Sequence, residues 1–254
     1  MLALYHYEPY ANSMKVMLCL KEKGLEFESR YVDLLKFEQH APEFVALNPN
    51  GQVPVLVHDE AVITESTMIN EYLEDAFAHV PLRPADPVER AHMRIWSKFV
   101  DDVLMPSVSR LGWQLRFRHF ASALPDEEFS RRMKRVPLKE MREKWSTIHG
   151  GGFTVEQLDD SRRLVRQGID RMEEKLSNGP WLVGADYSLA DINTYPMVEG
   201  ASRLYSDYCN ERRARRTMEW LARIAERPAT HAAFAMSRFG NAPGRAADAA
   251  ERSA

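Results

Sequence analysis

Three short stretches carry groups whose types and spacing could do chemistry. The first is Asn12-Ser13, an amide and a hydroxyl standing directly before the apolar run of residues 14–23. A serine in that place caps a helix by accepting a backbone N–H. The second is Asn48-Pro49-Asn50-Gly51-Gln52-Val53-Pro54, which runs into Val55-Leu56-Val57. Proline offers no N–H to a ladder, so Pro54 belongs at a sheet edge, a bulge or a strand start. Val53 then keeps its N–H and C=O free to hold an extended ligand at two points. The same residues also read as a plain Pro49-Asn50-Gly51 turn feeding an edge strand. The third is Thr64-Glu65-Ser66, where Ser66 can cap the next helix and Glu65 has no such structural explanation. A further pair, Ser188 and Asp191, has capping-box spacing before an apolar helix, and its task is folding. Cys19 and Cys209 show no metal-ligand spacing, and His119 and His149 are too isolated to name as acid or base.

The elements that must position these groups follow from periodicity and turn residues. Residues 2–7 and 26–32 read as strands around a helix over 14–23 that stops at Gly24, a βαβ unit whose strands lie parallel. A mostly helical excursion over 36–47 follows. Strands over 53–58 and 61–64 then form a hairpin at Asp59-Glu60, and a helix over 67–77 closes the first module. Pro81, Pro84 and Pro87 mark a linker over 81–88. Everything beyond reads helical: a long helix over 88–109 that Pro106 can kink, then helices over 155–176, 189–204, 214–225 and 230–239. Residues 114–152 are the least regular part, basic and broken by Pro125, Pro137 and three glycines, and the basic residues from Arg110 through Lys144 read as solvated surface. The predicted domains are 1–80 and 89–240, with a disordered tail over 241–254.

The composition is that of an ordinary globular protein: 254 residues, 44% hydrophobic and 28% charged. A formal net charge of −3 gives no electrostatic footprint for nucleic acid. No apolar run reaches the length of a membrane span, and the first ten residues lack a signal-peptide pattern. With two unpatterned cysteines, the expected place is the reducing cytoplasm.

A four-stranded α/β module, a proline-rich linker and an all-helical domain together resemble the cytosolic glutathione transferases. Asn12-Ser13, the Asn48-to-Pro54 turn with Thr64-Glu65-Ser66, and Gly184-x-x-x-Ser188-Leu189-Ala190-Asp191 carry the resemblance, which covers the chain to about residue 239. The stretches ANSxK, EKGLEFE, KFEQH, NPxGQVP, TESTxIxEYLED and LRPAD are similar to those of the bacterial β-etherases, which use glutathione to cleave β-aryl ethers of lignin fragments and carry a long insertion in the helical domain, to which residues 114–152 would correspond. The resemblance implies an α/β thioredoxin-like N-terminal domain plus an all-α C-terminal domain, glutathione as co-substrate, a small aromatic electrophile as acceptor, and a homodimer formed through the helix after the linker with Val100 or Leu104 exposed. A general glutathione transferase or dehalogenase, or a glutathione-binding protein without catalysis, is the alternative.

The resemblance also assigns roles. Ser13 or Asn12 would stabilise the glutathione thiolate, with Tyr5 and Tyr7 as further donors. Val53 and a cis Pro54 would clamp the cysteinyl part, Glu65 and Ser66 would receive the γ-glutamyl group, and Gln39, His40 or Lys36 the glycyl carboxylate. Trp113, Phe117, Trp145 and Tyr205 are aromatic candidates for the acceptor pocket, along with Phe120, Tyr195 and Tyr208, although a helical core needs aromatics as well.

Overall fold

The computed structural model describes residues 1–239, so the expectation for the tail beyond 241 lies outside the described residues. The first module is built from β1 (Leu2–His6), α1 (Ala11–Glu22), β2 (Glu28–Tyr31), a 3-10 turn (Glu38–His40), α2 (Pro42–Leu47), β3 (Val55–His58), β4 (Ala61–Ile63) and α3 (Ser66–Ala76). The sheet order is β2-β1-β3-β4. β1 runs parallel to β2, as a strand–helix–strand crossover requires, and antiparallel to β3, with Leu4 opposite both Ser29 and Leu56. Asp59, at φ 54, takes the left-handed backbone that a two-residue hairpin demands.

Three local expectations are corrected here. α1 begins at Ala11 rather than at 14, so Ser13 lies inside its first turn and does not cap it. Its Oγ accepts instead from Tyr7 N–H across 3.2 Å. Ser66 is likewise the first residue of α3, and the flanking position belongs to Glu65, whose φ of 64 is unusual for a non-glycine residue. The helix expected over 36–47 is broken in two. Phe37 adopts the left-handed region (φ 61), and Pro42 holds Ala41 extended before α2 can start.

The helical part opens with α4 (Pro87–Phe99), capped by the Asp86 carboxylate, which accepts from Val88 N–H and Glu89 N–H at 2.9 Å each. A wide π-type turn (Val100–Leu104) passes the chain on to α5 (Met105–Arg116), so the rod extends seven residues beyond the expected end at 109. Pro106 explains the widening. It has no N–H for the carbonyl four residues back, and its ring pushes that turn open. The turn presents Asp101, which receives the buried Lys15 ammonium at 2.5 Å and Thr67 Oγ1 at 2.6 Å, joining α1 and α3 to the helical domain. Val100 and Leu104 are fully buried, so neither is available at a dimer surface.

Residues 114–152 are not irregular. They contain α6 (Arg118–Ser122), α7 (Asp126–Met133) and α8 (Lys139–His149), too short and too charged for their periodicity to stand out. They own a second core of Phe117, Phe129, Met133, Val136, Trp145 and Ile148, and Phe37 of the first module is part of it. α9 (Val155–Lys175) and α10 (Leu189–Leu204) complete the main core with α11 (Arg215–Ala225) and α12 (Pro228–Phe234). The Ser188–Asp191 capping box forms, and the Asp191 carboxylate also accepts from Leu182 N–H and from Trp220 Nε1 at 2.8 Å. This is a folding device, as the spacing predicts.

Candidate functional site

A cleft of about 280 Å³ lies between the sheet end of the first module and α5, α8 and α10. Its first wall is made of backbone and polar groups. Tyr7, Asn12, Ser13, Gln39, His40 and Val53 all border it. Val53 lies just before β3 and makes no hydrogen bond among the described residues, and its bond to Pro54 is cis. Ser13 lies in the first turn of α1, where the helix N-terminus favours negative charge. Its oxygen is fixed by Tyr7 N–H, which leaves its own proton for another acceptor.

Buried polar atoms without partners collect at this wall. Asn12 Oδ1, Gln39 Oε1 and His40 Nδ1 are all buried and unpaired, as is Trp145 Nε1 across the cleft. Each such atom costs on the order of 1–3 kcal/mol unless a ligand answers it. Gly51 supports the arrangement: a Cβ there would stand 2.6 Å from His40 Nδ1, and its φ of 60 suits only glycine well. Burial, with the Arg135 charge nearby, holds the His40 imidazole down to about 4, so it faces the cleft as a neutral donor or acceptor and not as a cation. Burial pushes the Tyr7 phenol up, which keeps its proton in place.

The opposite wall is aromatic. Trp113, Phe117 and Trp145 border the cleft together, with ring centroids 4.7 Å apart for Trp113–Trp145 and 4.8 Å for Trp113–Phe117. Met105, Val108 and Met141 also line the cleft.

Not every candidate from the sequence reaches the cleft. Tyr205 is buried in the helical core, its hydroxyl donating to Ser107 C=O, and it does not line the wall. Tyr195 and Tyr208 are absent from the lining too, as is Phe120, which packs against Trp145. Tyr5 lies on another face, where its hydroxyl accepts from Arg30. Lys36 is exposed and pairs with Asp33. Glu65 and Ser66 lie outside the cleft lining, Glu65 exposed and Ser66 buried at the start of α3. Pro54 is buried and outside the lining. The basic stretch is a solvated face only in part: Arg118, Arg131, Lys134 and Lys139 are exposed, whereas Arg132 donates to Leu35 C=O, Arg110 to Ser161 Oγ and the exposed Arg135 to His40 C=O.

Lys144 lines the cleft without having been a candidate from the sequence, as do Glu8, Tyr10, Arg116 and Glu199. The Lys144 Nζ donates to Ser109 Oγ at 2.9 Å and stands 4.2 Å from the centre of the Trp113 ring. Burial, and secondarily Arg110, pushes its ammonium down to about 7. A signal was present: Met141, Trp145 and Ile148 set the inward face of α8, and Lys144 falls within it.

A sheet with one parallel and two antiparallel pairings, a cis-proline turn with a free preceding amide, and a hydroxyl in the first turn of α1 define a thioredoxin-like thiol-binding module. Here that module is fused to a helical domain carrying an apolar acceptor wall. Residues 1–75 match the family description "Glutathione S-transferase, N-terminal domain", and residues 123–228 match "Glutathione S-transferase, C-terminal domain". Protein LigF of Sphingobium sp. strain SYK-6 is 44% identical over 243 residues, covering 93% of this chain and 94% of that protein. The crystal structure of beta-etherase LigF from Sphingobium sp. strain SYK-6 superimposes with a TM-score of 0.89 at 45% identity, covering 93% of this chain and 99% of that one. Glutathione S-transferase 3 of Zea mays is 30% identical over 76% of this chain and 74% of its own length. The chain belongs to the glutathione S-transferase family. It is a glutathione transferase, and glutathione is its co-substrate.

Proposed function

We propose that this protein cleaves β-aryl ether bonds in lignin-derived aryl ketones, with the glutathione thiolate displacing a phenolate. The observation that carries the reading is the cleft itself. A free backbone amide, a helix-borne hydroxyl and unpaired polar atoms form one wall, and a flat aromatic wall faces them. The likeness to the β-etherase LigF supports the choice of acceptor.

A cysteine-type thiol has a pKa of about 8.5, so only a few per cent is thiolate at neutrality. Ser13, donating its proton at the positive end of α1, stabilises the anion without a general base. Asn12 is the second candidate: its buried Oδ1 suits a ligand N–H, and its Nδ2, which makes no hydrogen bond among the described residues, is a donor available to the sulfur. Val53 pairs with the cysteinyl backbone, and Gln39 with neutral His40 offers polar contacts to the glycyl end. Glu65 and Ser66, at the start of α3, receive the γ-glutamyl group, where free helix N–H groups suit its carboxylate. Trp113, Phe117 and Trp145 hold the aryl ring. The C–S bond then forms as the C–O bond breaks at the carbon next to the ketone, giving a thioether and a phenol.

Residues 1–80 make the glutathione half, 81–88 the linker and 89–240 the acceptor half. The protein works in the cytoplasm, where glutathione is kept as the thiol, and as a homodimer. The dimer face is the outer side of α3 and α4, where Arg94 pairs with Glu71 at 2.9 Å and Met68 and Ile95 are exposed. The test is phenol release from a racemic β-aryl ether ketone, with and without glutathione, resolved by enantiomer. Glutathione-dependent release from one enantiomer is expected. No release while glutathione still binds would discard the etherase reading in favour of another acceptor.

A further inference from the structure

We propose that Lys144 is a catalytic residue that delivers a proton to the departing phenolate oxygen. This inference rests on the ether-cleavage reading above. Lys144 is held by geometry on the acceptor side of the cleft: Ser109 Oγ accepts from its ammonium at 2.9 Å, and the face of Trp113 lies 4.2 Å from it. It makes no ion pair among the described residues. On its own helix, Glu143 pairs with Lys139, and Glu140 has no pairing with it. On α10, Glu199 pairs with Arg203. On α5 the facing charge is Arg110, which is positive.

An ammonium left with one hydroxyl and one aromatic face has donors to spare and no anion to answer them. In an apolar cleft such a charge is costly until an anion forms beside it. The ketone oxygen stays neutral in the bound substrate, whereas the ether oxygen acquires a full negative charge as its bond breaks. The interaction is therefore strongest in the transition state, which is where stabilisation raises the rate. The balance is complete. The sulfur lone pair forms the C–S bond, and the C–O pair moves to the aryl oxygen. That oxygen takes the Lys144 proton, and the amine recovers one from water. The ammonium is poised for the transfer, since its pKa of about 7 lies near neutral pH.

The experiment compares the unaltered protein with Lys144→Met, which keeps the stem over Trp113 and removes the donor. The readout is phenol release from a series of aryl ether ketones differing only in the acidity of the phenol. Glutathione affinity is measured in parallel by titration. For methoxyphenol leaving groups kcat should fall by ~10²-fold, within the usual range for acid catalysis. For 4-nitrophenol, whose anion needs no proton to depart, the loss should be less than about threefold, with glutathione affinity unchanged. An equal loss across the series overturns the assignment and makes Lys144 a packing or carbonyl-orienting group, as does no loss at all. Absence of phenol release by the unaltered protein from every member overturns the etherase reading and this role with it.

Discussion

Replacing Phe37 by alanine should unlatch the glutathione half from the acceptor half without unfolding either. Phe37 belongs to the first module, yet its side chain is 1% exposed inside the core of the insertion. Its ring centre is 4.8 Å from that of Trp145, and the Arg132 guanidinium lies 5.1 Å above it. A buried Phe→Ala change costs about 3–5 kcal/mol. Every contact named here joins the 3-10 turn region to α7 and α8, so the cost falls on docking and not on the sheet. Taking 3 kcal/mol, local opening becomes about 10²-fold more frequent. Hydrogen exchange read by mass spectrometry should show that acceleration at residues 37–41 and across α7 and α8, while β1 and β3 keep their protection. KM for glutathione should rise, because Gln39 and His40 lie two and three residues beyond Phe37. Phe37→Leu should lie much closer to the parent, since volume is largely kept. Uniform acceleration across the sheet, or an unchanged α8, would refute the claim that this side chain is the latch.

Other outcomes follow from the same geometry. Ser13→Ala should lower kcat/KM by roughly 10–100-fold and move the thiol ionisation seen in the pH profile up toward about 8.5, whereas Asn12→Ala should mainly weaken glutathione binding; the reverse order would transfer the thiolate role to Asn12. His40 is held down to about 4 when folded, against about 6.5 when unfolded, so the unfolded chain binds more protons between those values. Stability should therefore fall as pH is lowered through that window, and His40→Gln should flatten the decline in melting temperature; an identical slope in the variant would exclude His40 as its source. Ile95→Glu should halve the mass found by sedimentation if α3 and α4 form the dimer face, and an unchanged mass would place the contact elsewhere.

What could be read from the sequence depended on how far apart the cooperating residues lie. The βαβ unit, the hairpin at Asp59 and the Ser188–Asp191 cap are local, and residues 189–204 emerge with the bounds that their periodicity gives. The aromatic trio Trp113, Phe117 and Trp145 was visible as a set of large side chains, but Tyr205 looked the same and lies in the core. Nothing in a one-dimensional pattern separates wall from core when both need aromatics. The break at Phe37 was hidden because the ring it packs against, Trp145, is 108 residues away. Lys144 was hidden for a different reason: in a basic, proline-broken stretch a lysine reads as solvated until its helix is seen to turn it inward.

Helix α1 has consequences for how the protein is made. From Ser13 to Leu20 all eight consecutive residues are buried, so this helix has no solvent side. One side is covered by the sheet and α3, but the others wait for α10 and α12, which lie more than 160 residues downstream. Glu8 is finally closed over by Ser237 and the Arg238 amide. During synthesis at 5–20 residues per second, the first 80 residues therefore spend roughly ten seconds or more with an apolar helix face uncovered. The half that holds glutathione is translated first and finished last, and a ribosome stalled anywhere before residue 239 carries a sticky, incomplete site. Co-production of residues 1–80 alone should accordingly yield aggregate or chaperone-bound chain, not a free glutathione-binding module.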